Sequence, residues 1–181
     1  MTNKVINLMK IFAILILLLS MLANAETTEK DFFENLKQLC GKTLIGKTLF
    51  PADPGHDFAG KKLVMQVTSC TNKEIRIPFK VGEDTSRTWI FTMLDSGLLF
   101  KHDHRYKDGK PHKLTMYGGM SDGKGSPFSQ SFPADAQTHK LVPEGKSNVW
   151  NVSFDLKKMQ FIYYLERHNK PRYKAVFEST K

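Results

Sequence analysis

The densest group of reactive side chains in the chain is a run of five polar residues, Lys101-His102-Asp103-His104-Arg105. The run ends a stretch that begins after Gly97 and alternates like a β-strand, in which successive side chains point to opposite faces. His102 and His104 therefore share a face with Phe100. Because a phenylalanine belongs in a hydrophobic core, we expect both imidazoles to face inward near one mouth of the fold.

Two imidazoles in this arrangement suit two kinds of catalysis. Their side chains lie about 6.6 Å apart along a strand, close enough for both to lean onto one divalent metal ion. A histidine that is oriented by a carboxylate can instead act as a general acid or base. A metal-dependent or acid/base enzyme built on His102 and His104 is therefore one hypothesis. A purely structural role, with the charges of the run paired across a sheet, is another. The third metal ligand would have to come from His56, Asp108, Asp135 or His139.

A further hypothesis is that the run helps to bind an acidic ligand. A hairpin register that pairs Leu94 with Leu98 would place Arg87 opposite Arg105, and arginine holds a carboxylate in bidentate fashion. A neighbouring histidine gains charge below its reference pKa of ~6.5, so we expect affinity to rise as the pH falls through that value. The predicted ligand-binding residues are aromatic or basic: Arg87, Trp89, His102, His104, Arg105 and Tyr117.

The elements that position these residues are predicted from hydrophobic alternation and turn residues. Ten strands are predicted, near residues 43–50, 61–70, 74–81, 86–94, 97–105, 113–117, 126–132, 149–156, 160–167 and 172–179. Short strands at this spacing favour an antiparallel meander that closes into a barrel or sandwich. Gly118-Gly119 is interpreted as a turn between strands, and residues 133–148 as a long surface loop or lid.

The start of the globular part is predicted to be one amphipathic helix at about residues 28–39. Its apolar positions recur at helical spacing, so this face should pack against the barrel; they are Phe32, Phe33, Leu36 and Leu39. The helix ends near Cys40. In an oxidising compartment, the isolated pair of Cys40 and Cys70 indicates a disulfide worth roughly 3.5 kcal/mol in the loop-entropy model.

The N-terminus has the pattern of a secretory signal peptide. Lys4 and Lys10 both precede an apolar run at residues 11–22. Ala23-Asn24-Ala25 then supplies small residues for cleavage after Ala25. We therefore expect a secreted or periplasmic protein in which residues 26–181 form a single barrel domain. The apolar run is shorter than the ~20 residues that span a bilayer, so no transmembrane segment is expected after cleavage.

The charge balance narrows the class of partner. The formal net charge is +9, and without residues 1–25 the chain keeps 25 basic and 18 acidic residues. This excess suits either an anionic partner or a solvated basic surface. Nucleic acid is not an expected partner because the leader directs the chain out of the cytoplasm. No cofactor can be named from the sequence.

The arrangement of one helix followed by a strand meander resembles the calycin group: lipocalins, fatty-acid-binding proteins and nitrobindin-like barrels. This architectural resemblance covers residues 28–179, although the lipocalins' G-x-W near the first strand is missing. The segments LLFKHDHRYKDGK, TMYGG and FPAD resemble a family of small secreted bacterial proteins of uncharacterised function, a likeness that brings no activity with it.

The sequence as a whole predicts an all-β, antiparallel meander barrel of calycin (lipocalin-like) type, with about ten strands and one N-terminal α-helix. The function expected of it is non-catalytic binding of a small or amphipathic, acidic ligand. The alternatives are the enzyme based on His102 and His104, and an envelope structural or interaction protein without a ligand.

Overall fold

Antiparallel β-strands make up most of the computed structural model, which describes residues 28–51 and 55–179. The predicted leader and its cleavage after Ala25 lie outside the described residues. A helix, α1, covers residues 28–37. The strands are β1 (Thr43–Phe50), β2 (Leu63–Gln66), β3 (Ser69–Cys70), β4 (Glu74–Val81), β5 (Asp84–Leu94), β6 (Gly97–His104), β7 (Tyr117–Met120), β8 (Ser129–Pro133), β9 (Asn148–Asp155), β10 (Gln160–Arg167) and β11 (Lys170–Glu178). A short helix, α2 (Ala136–Leu141), and a 3₁₀ turn (Pro143–Gly145) lie between β8 and β9. None of the helices in the described chain has the length and hydrophobicity needed to cross a bilayer.

The strands form one up-and-down barrel. Hydrogen-bonded neighbours follow the order β7-β6-β5-β4-β2-β1-β11-β10-β9-β8, and the two residues of β3 extend the pairing of β2 along β4. The first and last strands pair with each other, with Ile45 of β1 opposite Glu178 of β11. The predicted fold class, an all-β antiparallel meander barrel of about ten strands with an N-terminal helix, is confirmed.

The barrel closes between β7 and β8 through single hydrogen bonds rather than a regular ladder. The backbone N–H of Asp135 donates to the carbonyl of Gly118 at 2.9 Å, and the N–H of Asp122 donates to the carbonyl of Ser131 at 3.0 Å. The hydroxyl of Thr138 also donates to the Gly118 carbonyl, at 2.7 Å. We call this junction the β7–β8 seam.

The interpretation of Gly118-Gly119 as a turn is wrong, because both glycines lie inside β7. A Cβ atom on Gly118 would lie 2.0 Å from the backbone oxygen of Phe100, and one on Gly119 would lie 1.8 Å from that of Pro133. Such distances are far inside van der Waals contact, so β7 needs glycine at position 118 to pair with β6 and at position 119 to close the seam. The strand predicted at 113–117 accordingly begins only at Tyr117.

Helix α1 covers one end of the barrel, which we call the helix end; the opposite end is the mouth end. The ring of Phe32 packs against those of Phe91 and Phe154, with centroids 6.2 and 5.1 Å away. The predicted apolar face is buried: Phe32, Phe33, Leu36 and Leu39. Each such side chain contributes about 1.5–3 kcal/mol on burial, which is what holds so short a helix in place.

A disulfide between Cys40 and Cys70 ties the end of this helical segment to β3. The two Cα atoms lie 6.3 Å apart, within the range that a disulfide spans. The predicted pairing is therefore confirmed.

The centre of the barrel is filled by aromatic side chains. The indole of Trp89 stacks on Phe79 and Tyr163, with ring centroids 4.6 and 4.8 Å apart. The rings of Phe161 and Phe177 lie 5.8 Å from the same indole. At this level the interior is a packed core, as small barrels allow.

The connection at 133–148 contains α2, where the sequence predicted a surface loop. Asp135 caps the helix, since its side chain accepts a hydrogen bond from the N–H of Thr138 at 2.8 Å. The same carboxylate lies 2.5 Å from Nζ of Lys101, whose side chain is only 7% exposed. Lys101 also donates to Gln137 at 3.2 Å. A partly buried charge pair therefore holds α2 against the outer face of β6.

Candidate functional site

The hairpin of β5 and β6 positions the polar run at the mouth end. Its register pairs Leu94 with Gly97 and Arg87 with His104. The predicted register, with Leu94 opposite Leu98 and Arg87 opposite Arg105, is therefore wrong by one residue. The loop is only Asp95-Ser96, because Gly97 already belongs to β6. Since directly opposed residues share a face, Arg87 and His104 both lie on the inner side.

His102 is locked inside the barrel by hydrogen bonds to both ring nitrogens. Its Nδ1 lies 3.2 Å from the Tyr117 carbonyl, which can only accept, so Nδ1 carries the proton. The other nitrogen, Nε2, must then accept from the hydroxyl of Tyr163 at 2.9 Å. These contacts fix one neutral tautomer of His102.

Burial keeps His102 neutral. Loss of hydration lowers the pKa of its imidazole to about 3, and repulsion from a protonated His104 and from Lys101 adds to this effect. A neutral ring with both nitrogens engaged has no free lone pair for a metal ion. This residue supports the core and the β6–β7 pairing rather than exchanging protons at neutral pH.

His104 lies two residues further along β6 and is only partly buried. Its Nε2 lies 3.1 Å from the Tyr117 hydroxyl, and its ring centroid is 6.1 Å from that of His112. Burial lowers the pKa of His104 to about 4, helped by the positive charges of Arg87 and His112. The imidazole is therefore neutral at physiological pH. It gains charge near pH 4, well below the value of ~6.5 expected from the sequence.

Arg87 provides the positive charge of the mouth. Its guanidinium forms an ion pair with Asp84, and hydrogen bonds from Ser86 and Arg87 lower the pKa of Asp84 to about 2 against the opposing effect of burial. The Arg87 side chain is 23% exposed. Burial raises the pKa of both Tyr117 and Tyr173 to about 12, while the charge of Arg87 opposes that rise.

The opposite wall of the mouth consists of residues that the sequence did not assign to ligand binding, although His56 was a candidate metal ligand. His56 stacks on Tyr173 with ring centroids 5.4 Å apart, and the Tyr173 hydroxyl lies 3.1 Å from Oγ1 of Thr48. The ring of Phe58 lies 5.2 Å beneath the guanidinium carbon of Arg87. Tyr173 could have been assigned to the mouth from the sequence, because it lies at an inward-facing position near one end of a predicted strand. Residues of the β1–β2 connection carry no periodicity that could have revealed them.

Two of the predicted ligand residues lie away from this mouth. Trp89 is buried in the aromatic core. Arg105 is exposed on the outer side of β6, where its Nε lies 2.7 Å from Asp103 and its Nη1 donates to the Gly109 carbonyl at 3.0 Å. The structure therefore brings together Arg87, His104 and Tyr117, with His102 beneath them, and separates Trp89 and Arg105 from the group.

Arg105 instead lines a groove of about 390 Å³ on the mouth end. The groove lies between the turn that joins β4 to β5 and the loop at residues 105–116. Tyr106 and His112 form a tilted aromatic pair in it, with ring centroids 3.9 Å apart and an angle of 38° between the ring planes. Two residues connect the groove to the mouth. Asp84 is the ion-pair partner of Arg87, and His112 is the neighbour of His104. Its full lining is Glu83, Asp84, Thr85, Ser86, Arg105, Tyr106, Lys107 and His112.

The third ligand that a metal site would need is not supplied beside His102 and His104. Across residues 28–51 and 55–179, no group of three or more His, Cys, Asp or Glu side chains is placed to hold a metal ion. Three of the four suggested ligands have other contacts: His56 stacks on Tyr173, Asp108 pairs with Lys110, and Asp135 pairs with Lys101.

Comparisons of the chain with models of protein families, with curated proteins and with solved structures found no match, so the geometry of the mouth end is the basis for any functional conclusion.

Proposed function

We propose that the protein binds a small acidic ligand, without catalysing a reaction, in the groove on its mouth end. The observation that carries the proposal is the groove itself. A volume of about 390 Å³ is enough for a small organic acid, and Arg105, Lys107 and His112 contribute basic groups to it. Aromatic Tyr106 and His112 present flat ring surfaces, so the apolar part of an amphipathic ligand would have a surface to pack on.

Glu83 and Asp84 line the groove together with Arg105 and Lys107, so the case for an anion depends on whether the arginines at the groove can accept a new carboxylate. The Arg105 guanidinium is partly exposed and uses only one carboxylate, that of Asp103. Arg87 stands next to the groove and is paired with Asp84, which is itself 45% exposed. A ligand carboxylate could therefore exchange with Asp84 at the Arg87 fork without leaving a buried charge unpaired.

A binding role fits the titration of the two histidines better than catalysis does. The pKa of His102 is lowered to about 3 and that of His104 to about 4, so both are weak bases at neutral pH. Both ring nitrogens of His102 are already engaged. The enzyme hypothesis therefore lacks a group poised to move a proton near pH 7.

We further propose that the protein works outside the cytoplasm, either secreted or in the periplasm. The disulfide between Cys40 and Cys70 supports this, because such bonds persist in oxidising compartments. The leader pattern that ends at Ala25 points the same way.

The test is a titration followed by two-dimensional NMR, with octanoate as the acidic probe and octylamine as a probe of equal chain length and opposite charge. We expect octanoate to shift the amide resonances around the groove, including those of Arg105 and His112, and octylamine to leave them unchanged. Arg105→Gln should weaken octanoate binding by roughly tenfold, the effect of losing one charge-assisted hydrogen bond.

Arg172→Gln is the matched control, because it removes the same charge from an exposed position on β11, on another part of the mouth end. If both variants weaken binding equally, the effect is one of net charge and the groove is not the site. Equal shifts with octanoate and octylamine would also contradict the proposal. With octanesulfonate, which stays anionic throughout this range, affinity should rise as the pH falls toward 4 and should lose that rise in His104→Gln, because an anion favours the protonated imidazole.

A further inference from the structure

Exposed apolar side chains are concentrated at the mouth end. Among the described residues, six large hydrophobic side chains are markedly exposed, and Leu49, Phe50, Tyr106 and Leu114 all lie at this end. The remaining two, Leu94 and Phe128, lie at the helix end. Leu49 and Leu114 are 46% and 49% exposed, which is costly for an aliphatic side chain that has no partner.

These side chains stand on two opposite sides of the mouth. Leu49 and Phe50 end β1, whereas Tyr106 and Leu114 belong to the loop between β6 and β7. Around the barrel, β2, β4 and β5 separate β1 from β6 on one side, and β8 to β11 separate β1 from β7 on the other. A flat surface laid across the mouth end can therefore meet apolar side chains on both sides at once.

Basic side chains accompany the apolar ones. The loop at residues 105–116 exposes Lys107, Lys110 and Lys113, and only Asp108 opposes them within the loop. Lys110 pairs with Asp108 at 3.2 Å, while Lys107 and Lys113 form no ion pair within the described part of the chain. On the opposite side, exposed Lys47 lies two residues from Leu49. The mouth end thus combines exposed apolar side chains with several exposed lysines, while Glu83 and Asp84 of the β4–β5 turn add negative charge beside the groove.

We propose that the mouth end docks on an anionic lipid bilayer. Lysine side chains are attracted to anionic headgroups, and leucine, phenylalanine and tyrosine side chains enter the boundary between headgroups and acyl chains. A polyanion such as an acidic polysaccharide would use the charges but would leave Leu49 and Leu114 exposed. A bilayer satisfies both features, so it is the partner that the surface fits best. This inference does not depend on the acidic ligand proposed for the groove.

The test is co-sedimentation of the full chain with phosphatidylcholine vesicles that contain or lack phosphatidylglycerol. All variants share the same N-terminal residues, so differences between them report on the barrel. We expect Lys113→Gln to weaken binding to the anionic vesicles by about fivefold, the effect of one basic residue near such a surface. We expect Leu114→Ser to weaken binding severalfold as well. Neither residue lines the groove, so both variants should bind octanoate normally.

The helix end supplies matched controls. Phe128→Ser and Lys124→Gln remove an exposed apolar side chain and an exposed charge there, and both should bind the vesicles like the unaltered chain. Absence of binding to anionic vesicles at low salt would overturn the proposal, as would equal losses at the two ends. A third outcome would also contradict the proposal: the chain binds heparin, Lys113→Gln loses vesicle binding, and Leu114→Ser keeps it. The mouth end would then recognise polyanions instead of lipid.

Discussion

The neutral, buried state of His102 predicts that the barrel loses stability in mild acid. In the folded protein, burial lowers the pKa of His102 to about 3, whereas in the unfolded chain the imidazole titrates near ~6.5. Between these values the unfolded state binds a proton that the folded state excludes. The free energy of unfolding must therefore fall as the pH falls below ~6.5, and it continues to fall until about pH 3.

The size of this effect follows from the two pKa values. At about pH 5 His102 is almost fully protonated in the unfolded chain and almost fully neutral in the folded one. Each pH unit below ~6.5 therefore lowers the free energy of unfolding by about 1.4 kcal/mol. From about pH 7 to about pH 5, His102 should reduce the free energy of unfolding by about 2 kcal/mol. This is a large share of the roughly 5–15 kcal/mol that stabilises a typical domain.

Urea denaturation followed by tryptophan fluorescence measures the effect, because Trp89 and Trp150 are both buried. The variant His102→Gln keeps a polar side chain that does not titrate. The stability advantage of the unaltered chain over this variant should be about 2 kcal/mol smaller at about pH 5 than at about pH 7.

Tyr163→Phe is the control, because it removes the hydroxyl that donates to His102 but leaves the imidazole buried. It should lower stability by about 1 kcal/mol at both pH values and keep the acid sensitivity of the unaltered chain. If His102→Gln has the same pH dependence as the unaltered chain, burial does not set the charge of His102 and the argument from the Tyr117 and Tyr163 contacts fails.

Substitutions at three places test how the barrel is held together. Asp135→Asn should lower the free energy of unfolding by about 1–3 kcal/mol because it takes the carboxylate away from Lys101 and leaves it only neutral acceptors such as Gln137, and adding Lys101→Met to that variant should restore most of the loss in urea melts. Gly119→Ala should prevent closure of the β7–β8 seam, and hydrogen exchange should then show β7 and β8 unprotected; normal protection would contradict the steric argument. Replacing Cys40 and Cys70 with serine should lower stability by about 2–5 kcal/mol but leave the far-UV circular dichroism of the barrel intact.

The regular part of the fold could be predicted because it depends on local alternation. The bounds predicted for β1, β4 and β10 are those of the structure. In each of these strands the side chains that face the core alternate with side chains that face out, and turn residues mark both ends. The burial of α1 followed from its helical spacing for the same reason.

The seam and α2 could not be predicted, because their causes lie in distant parts of the chain. Two glycines in sequence usually indicate a turn, but Gly118 and Gly119 are needed in β7 because other backbone segments press against them. Helix α2 has six residues and no apolar stripe. It is held by Lys101 and by Thr138, contacts that no sequence period reveals.

The His-x-His pattern illustrates how far residue types and spacing can carry a functional argument. Alternation places His102 and His104 on one face. They are about 6.6 Å apart along the strand, and over that distance the position changes from the buried core at His102 to the rim of the barrel at His104. At the inner position, tyrosine hydroxyl and carbonyl groups hold a neutral imidazole. At the outer position, the imidazole stands beside Arg87 and within reach of solvent. The pattern predicts one site with two equivalent histidines, whereas burial separates them: His102 is enclosed in the core, and His104 lies at the rim beside the groove.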